Sequence, residues 1–254
     1  MKKRLDVLLV EQGLAQTRSK AQAMVMAGLV KGYSKAGTQV DEDAELEVEQ
    51  TARYVSRGGE KLAHALAVTD IEVSGRACLD VGASTGGFTQ CLLEAGAQHV
   101  VALDVGHGQL DHGLRTDARV SVLERINARH LGASDLPYRP AVVTCDVSFI
   151  SLKLVLPAVL ACADPGWDAL ALVKPQFEVG RRDAPKGVVR DPEIHRQALL
   201  DVGTALAEHV GARAVVASPL LGPKGNREFF LQLADRPPLL TSQAFERAVD
   251  DAVS

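Results

Sequence analysis

The residues best placed to do chemistry begin where the apolar stretch ending at Leu79 breaks into Asp80-Val81-Gly82-Ala83-Ser84-Thr85-Gly86-Gly87-Phe88-Thr89 before a helical pattern resumes. Glycines at 82, 86 and 87 allow a tight turn and close approach of a ligand to the backbone, and the helix that follows offers free N–H groups at its start. Such a loop suits a nucleotide-bearing cofactor. Gly82 and Gly86 are four apart, unlike G-x-G-x-x-G, and no Gly-Lys-Ser/Thr follows, so the NAD and ATP patterns are both missed. About seventeen residues beyond Gly87, the run His99-Val100-Val101-Ala102-Leu103 ends in Asp104. A carboxylate at the tip of the second strand is placed to accept ribose hydroxyls.

These groups need strands and helices in alternation to hold them. Apolar runs predict strands at 77–81, 99–104, 120–124, 141–147, 168–174, 213–219 and 227–233, with helical patterns between most of them, notably 60–68 and 193–210. Alternation of this kind implies a parallel sheet covered on both faces. The short connection Gly222-Pro223-Lys224-Gly225-Asn226 instead predicts an antiparallel hairpin at the sheet edge. Ahead of this region, Leu5 to Val10 and Thr17 to Met26 predict two short helices, and Leu29-Val30 with Ala44 to Val48 a hairpin. The expected organisation is an N-terminal α+β module at 1–52, a linker at 53–57, an α/β domain at 58–236 and a weakly anchored tail at 237–254.

Composition narrows the function classes. With 46 % apolar residues the chain can bury an ordinary core. The longest apolar runs, such as Leu152 to Ala163, carry Lys153 and Pro157 and are too short to span a bilayer, so a cytoplasmic protein without a membrane partner is expected. Cys78, Cys91, Cys145 and Cys162 lack C-x-x-C spacing and sit in apolar stretches, which points to reduced packing cysteines and to no metal. Net charge is −4, yet residues 1–35 hold seven Lys/Arg against Asp6 and Glu11, so the N-terminus is locally basic.

D-x-G-x-x-x-G followed by a second-strand acid resembles the S-adenosylmethionine site of Rossmann-like methyltransferases. The chain as a whole resembles the TlyA family, bacterial proteins known both as hemolysin A and as ribosomal RNA 2′-O-methyltransferases. Arg4-Leu5-Asp6-Val7-Leu8-Leu9, Ser19-Lys20-Ala21-Gln22 and Met26-Ala27-Gly28-Leu29-Val30 are similar to the RNA-binding module shared with ribosomal protein S-four, although Lys31-Gly32-Tyr33 shortens the hairpin that normally follows. Ser56-Arg57-Gly58-Gly59-Glu60-Lys61-Leu62, Cys145-Asp146-Val147-Ser148-Phe149-Ile150-Ser151, Val173-Lys174-Pro175-Gln176-Phe177-Glu178 and Gly225-Asn226-Arg227-Glu228 are similar to an FtsJ-like catalytic domain.

The resemblance implies a Rossmann-like S-adenosylmethionine-dependent methyltransferase sheet with helices on both faces, plus a small N-terminal α+β RNA-binding domain. It implies 2′-O-methylation of ribose, at cytidine, in ribosomal RNA that is free or part of an assembled subunit. The Lys-Asp-Lys-Glu set of FtsJ-like enzymes falls on Lys61, Asp146, Lys174 and Glu228, with Lys174 acting on the hydroxyl. The cofactor falls to Asp80, Gly82, Ala83, Ser84, Thr85, Gly86, Gly87, Phe88, Asp104 and Asn127, and RNA to Arg4, Arg18, Lys20 and Arg57. Two other readings stay open on the residues: a cytosine C5-methyltransferase using Cys145, which lacks the usual Pro-Cys motif, and a membrane-active hemolysin, for which no amphipathic segment stands out.

Overall fold

A computed structural model of the 254-residue chain describes all residues except 1, 16, 27–28, 49–52, 181 and 207–209, together with the side chains of 20 and 23. The Lys20 side chain, the expected helix stop at 27–28 and the expected boundary at 52 therefore lie outside the described residues. Two compact units are present, Met1–Arg53 and Tyr54–Ser254.

In the first unit, β1 (Lys2–Arg4) leads into α1 (Leu5–Glu11) and α2 (Arg18–Met26), and β2 (Gln39–Asp41) pairs antiparallel with β1. Leu5, Leu8 and Leu9 from α1 meet Ala21 and Val25 from α2, with Val30 and Val40, in one small core. The hairpin expected from Leu29-Val30 and Ala44 to Val48 reduces to a single bridge, Val30 to Val48. The strand pairing falls instead on Lys2–Arg4, a basic segment that the apolar pattern could not flag as a strand.

The second unit runs α3 (Arg57–Val68), β3 (Ala77–Val81), α4 (Gly87–Glu94), β4 (His99–Asp104), α5 (His112–Arg115), β5 (Val120–Glu124), β6 (Val142–Cys145), α6 (Leu152–Ala161), β7 (Asp168–Val173), α7 (Pro175–Glu178), α8 (Pro192–Leu206), β8 (Gly211–Ala217), β9 (Phe229–Ala234) and α9 (Ser242–Val253). The sheet order is β5-β4-β3-β6-β7-β9-β8, parallel except for β9, which is antiparallel to both neighbours. Side chains alternate between two cores, as the period of two in a strand requires. Leu79, Val81, Val101, Val143, Phe229 and Leu231 face α6, α8 and α9. Cys78, Val100, Val142, Leu170 and Phe230 face α3 and α4.

One expected feature is sharpened and two differ. The hairpin does close the sheet, but β9 lies inside it and β8 forms the edge, because Phe229-Phe230-Leu231-Gln232-Leu233-Ala234 is buried on both faces whereas β8 is only half-buried throughout. The segment expected as a 53–57 linker belongs largely to the second unit: Tyr54 is buried over Gly59, where an added Cβ would lie 2.1 Å from the ring, and Arg57 opens α3. The segment expected as a tail carries α9, capped by Thr241, whose hydroxyl accepts from the Ala244 N–H at 3.3 Å, and anchored by the buried Val249 and Val253. Its apolar positions recur every four residues and give it a face to bury.

Candidate active site

All the expected site residues of the second unit except Asp80 gather at the carboxyl edge of the parallel strands, where open α/β sheets bind ligands. Gly82 has φ +83°, and an added Cβ would lie 2.4 Å from the Asp146 carbonyl oxygen, so glycine is required here where the ends of β3 and β6 pass each other. Gly86 takes φ +100° ahead of α4 for a similar reason, since a Cβ would press on Leu114 at 2.3 Å. Between them the Ser84 N–H donates to Asp104 Oδ2 at 2.8 Å, while Asp104 Oδ1 accepts from the Gly106 N–H at 2.7 Å. Asp104 thus ties the glycine loop to the β4 loop. That second loop is fixed from β5: Glu124 accepts from the Gly108 N–H at 2.9 Å and from Arg115, and these bonds, Arg115 foremost, hold its carboxyl down at about 2.

A cleft of about 500 Å³ opens between these loops, lined by Gly82, Ser84, Asp104 and Asn127, with Leu103, Val105, Ile126 and Ile150 as apolar wall. A carboxylate beside an apolar slot fits a ribose and an adenine. The expected residues nonetheless divide. Gly82, Ser84, Asp104 and Asn127 line this cleft, whereas Ala83, Thr85, Gly87 and Phe88 line its neighbour and Gly86 serves the turn. Asp80 lines neither. It is fully buried beneath the loop, accepting from Thr89 Oγ1 at 2.7 Å and Thr144 Oγ1 at 3.2 Å, and burial raises its carboxyl to about 7. Its role is to fasten the loop, α4 and β6 from below, a correction to its expected place among the cofactor contacts.

The neighbouring cleft, about 480 Å³, holds the other expected group: Lys61, Asp146, Lys174 and Glu228 all line it, together with Ser56, Arg57 and Pro223. They form two ion pairs. Lys61 Nζ lies 2.5 Å from Glu228 Oε2, both nearly without solvent contact, and Lys174 pairs with Asp146 while donating to Ser148 Oγ at 3.1 Å. Each lysine comes from a different element, Lys61 from α3 and Lys174 from the end of β7, where Pro175 begins α7. Gly82, Ser84 and Asp146 line both clefts, so the two open onto one another at the Asp146–Lys174 pair.

Three participants escaped the sequence reading. Ser148 holds Lys174, Gln109 reaches Ser84 Oγ at 3.4 Å, and Phe149 stands 91 % exposed beside the first cleft with φ +65° and its ring 5.1 Å from that of Phe177. Their place in the family-like segment Cys145 to Ser151 was the available signal for Ser148 and Phe149. Cys145, by contrast, is buried in β6 and lines neither cleft, and burial pushes its thiol far above the range of a working thiolate.

Comparison with known proteins decides the family. A model described as FtsJ-like methyltransferase matches residues 54–234, and one described as S4 domain matches residues 3–31. The 16S/23S rRNA (cytidine-2′-O)-methyltransferase TlyA of Mycobacterium tuberculosis is 46 % identical over 261 residues, covering 99 % of this chain and 97 % of the relative. This chain belongs to the TlyA family of FtsJ-like methyltransferases. Hemolysin A of Brachyspira hyodysenteriae is 41 % identical over 234 residues, with 89 % and 97 % covered. A solved structure from Streptococcus thermophilus, of the hemolysin group by description, is 41 % identical and superposes with a TM-score of 0.75 over 99 % of this chain and 95 % of that one.

Membership makes the protein an S-adenosylmethionine-dependent methyltransferase, and the cleft at Asp104 suits that cofactor by shape and donor set. In its S4 domain, Arg4 forks onto the buried Asp6 through Nε at 3.0 Å and Nη2 at 2.9 Å, and Arg18 adds a third bond at 3.1 Å. These bonds, Arg4 first, hold the Asp6 carboxyl well below its ordinary value. Both arginines stay partly exposed with one shared carboxylate between them, so a net positive charge faces solvent there. Arg57, from α3 of the TlyA catalytic domain, is an exposed cation with no partner among the described residues.

Proposed function

We propose that this protein transfers the methyl group of S-adenosylmethionine to the ribose 2′-hydroxyl of a cytidine in ribosomal RNA. What carries the reading is the meeting of two clefts at the Asp146–Lys174 pair, one suited to an adenosine and the other lined by four paired charges. S-adenosylmethionine supplies an electrophilic methyl on a sulfonium. The chain's part is to place an oxygen in line with it and dispose of a proton. Lys174 Nζ, fixed between Asp146 and Ser148, meets the 2′-hydroxyl and stabilises the negative charge that builds on its oxygen. As the oxygen–carbon bond forms and the carbon–sulfur bond of the sulfonium breaks to leave a neutral thioether, the hydroxyl proton passes by way of Lys174 to Asp146 and from that partly exposed carboxylate to solvent. Lys61 and Glu228, locked to each other, form the rigid far wall that positions the ribose.

Phe149, exposed on the first cleft three residues beyond Asp146, offers a face on which the acceptor base can stack. The S4 domain supplies cations, Arg4 and Arg18 among them, that meet phosphates without reading sequence. Cys145-based attack on cytosine C5 has no route, because the thiol is buried away from both clefts. Among the described residues no helix is long and apolar enough to cross a membrane. The test is to incubate the protein and labelled cofactor with ribosomal subunits from a strain lacking the gene, then digest the RNA to nucleosides. Label in 2′-O-methylcytidine is expected; label on a base, or none, overturns the proposal.

A further inference from the structure

The described non-glycine residues with left-handed backbone are Ser84, Arg125, Phe149, Lys186 and Lys224; the first three come just after the carboxyl ends of β3, β5 and β6, Lys186 lies between α7 and α8, and Lys224 lies between β8 and β9. That conformation is unfavourable for any residue bearing a Cβ, and it persists only where surrounding structure enforces it, most often at functional sites. Ser84 and Phe149 already belong to the site. Lys186 and Lys224 remain to be explained, and they are twins. Each is the centre of a Pro-Lys-Gly turn, Pro185-Lys186-Gly187 and Pro223-Lys224-Gly225, with φ/ψ of 57°/19° and 59°/17°.

The two turns are bolted side by side. The buried Asn226 accepts from the Val189 N–H at 3.0 Å and donates to the carbonyls of Gly187 and Pro223, each at 3.0 Å, so one side chain joins both loops. Lys224 Nζ donates to the Lys186 carbonyl at 2.9 Å. Both lysines are exposed, and Pro223 of the second turn lines the charged cleft itself, in the same loop that Asn226 and Glu228 close. Arg182 and Arg190 flank Lys186 along an open groove and have no partner among the described residues. Asp183 and Asp191 line that groove too, but Asp191 is occupied capping α8, accepting the Glu193 N–H at 2.9 Å. Arg227 is committed elsewhere, donating to the carbonyls of Ala252 and Val253.

We infer that the paired Pro-Lys-Gly turns are a phosphate clamp, gripping the RNA backbone next to the acceptor nucleotide and presenting its ribose to Lys174. Two ammonium groups held by fixed turns at the rim of a cleft suit consecutive phosphates of a single strand drawn out of its stack, and they leave the bases unread. The inference rests on the RNA-methylation reading above and adds to it a second RNA-holding surface, on the catalytic domain.

The test is the double variant Lys186→Asn/Lys224→Asn, chosen because asparagine tolerates left-handed backbone, with Lys186→Arg/Lys224→Arg as the conservative partner. Calorimetry with S-adenosylmethionine reports that the fold is intact and should match the wild type in both. Single-turnover methylation of ribosomal subunits from a strain lacking the gene is then measured against subunit concentration in a series of salt concentrations. For the asparagine variant, half-saturation should rise about tenfold and the logarithmic salt dependence should become shallower by about one to two, at roughly 0.7–0.9 for each phosphate left without its cation; the arginine variant should restore both. Half-saturation and salt slope equal to those of the wild type overturn the clamp. Failure of the wild-type protein to methylate the subunits at all would instead remove the RNA-methylation reading, and the clamp with it.

Discussion

Asp80→Asn separates the two roles that a carboxylate under a cofactor loop can have. The side chain is fully buried, and burial raises its pKa to about 7, with the hydrogen bonds from Thr89 and Thr144 only partly opposing that rise. In the unfolded chain the same group ionises near pH 4. Between about pH 4 and pH 7 the folded protein therefore holds a proton that the unfolded chain has released, and stability falls as pH rises through that window. The stabilising contribution is complete below pH 4 and gone above pH 7. The gap of about three between the two pKa values is worth about 4 kcal/mol, of which about 2.5 kcal/mol falls between pH 5 and pH 8. Asparagine cannot ionise, and its amide can still meet both threonine hydroxyls at a cost of about 1 kcal/mol. The variant should thus gain about 2.5 kcal/mol on the wild type between pH 5 and pH 8, and should be the more stable protein at pH 8. Other groups whose pKa folding shifts, such as Glu178 with its carboxyl raised by burial, are present in both proteins and cancel in the difference. Urea unfolding of the pair at several pH values is the assay. Parallel stability curves would show that Asp80 is not the buried proton holder the structure makes it, and a large loss of cofactor affinity in the folded variant would return it to the contact set.

Gly82→Ala, with its Cβ 2.4 Å from the Asp146 carbonyl and φ at +83°, should cost about 2–4 kcal/mol in thermal unfolding and weaken cofactor binding; Asp104→Ala, which frees two backbone N–H groups, should weaken calorimetric affinity about tenfold or more, and unchanged affinity in both refutes the assigned cleft. Lys174→Ala should lower the single-turnover methylation rate at least about a hundredfold while Cys145→Ala remains active, and the reverse pattern points to cysteine chemistry. Phe149→Ala should leave thermal stability within about 0.5 kcal/mol, given its exposure, yet lower the methylation rate; an unchanged rate removes it from the acceptor site. Arg18→Ala should weaken binding to ribosomal RNA and make its salt dependence shallower by about one in filter assays, without touching cofactor affinity; an unchanged slope takes Arg18 out of the RNA surface.

Local pattern carried the sequence reading where local physics decides the outcome. The glycine loop, Asp104 one strand later and the alternation of strands and helices are all written in spacing of a few residues, and the structure places them as that spacing demands. The failures share a cause as well. Asp80 sits on the strand face opposite to Leu79 and Val81, together with Cys78, which turns it toward α4 and a buried threonine rather than toward the ligand. The alternation that exposes this was legible, but an acid at a strand end beside glycines invites the ligand reading first. The C-terminal helix was overlooked because its apolar face is a thin line of alanine, phenylalanine and valine behind Pro237-Pro238, and only the neighbouring α8 shows why that line is enough.

The charged cleft lies at the limit of what spacing can say. Lys61 and Glu228 are 167 positions apart and touch only because α3 covers the sheet face near β9, and β9 reaches that place by inserting between β7 and β8. Resemblance to the family marked both residues, yet nothing in either segment shows that the partner of one is the other. Their pairing matters to the chemistry because it leaves Lys174, through its own pair with Asp146, as the lysine set at the junction with the cofactor cleft. On the proposed reaction the two like charges sharing this cleft would do different work: Lys61 is paired in the wall with a carboxylate that has no solvent contact, whereas Lys174 is paired with a carboxylate that still meets water and would pass the proton on.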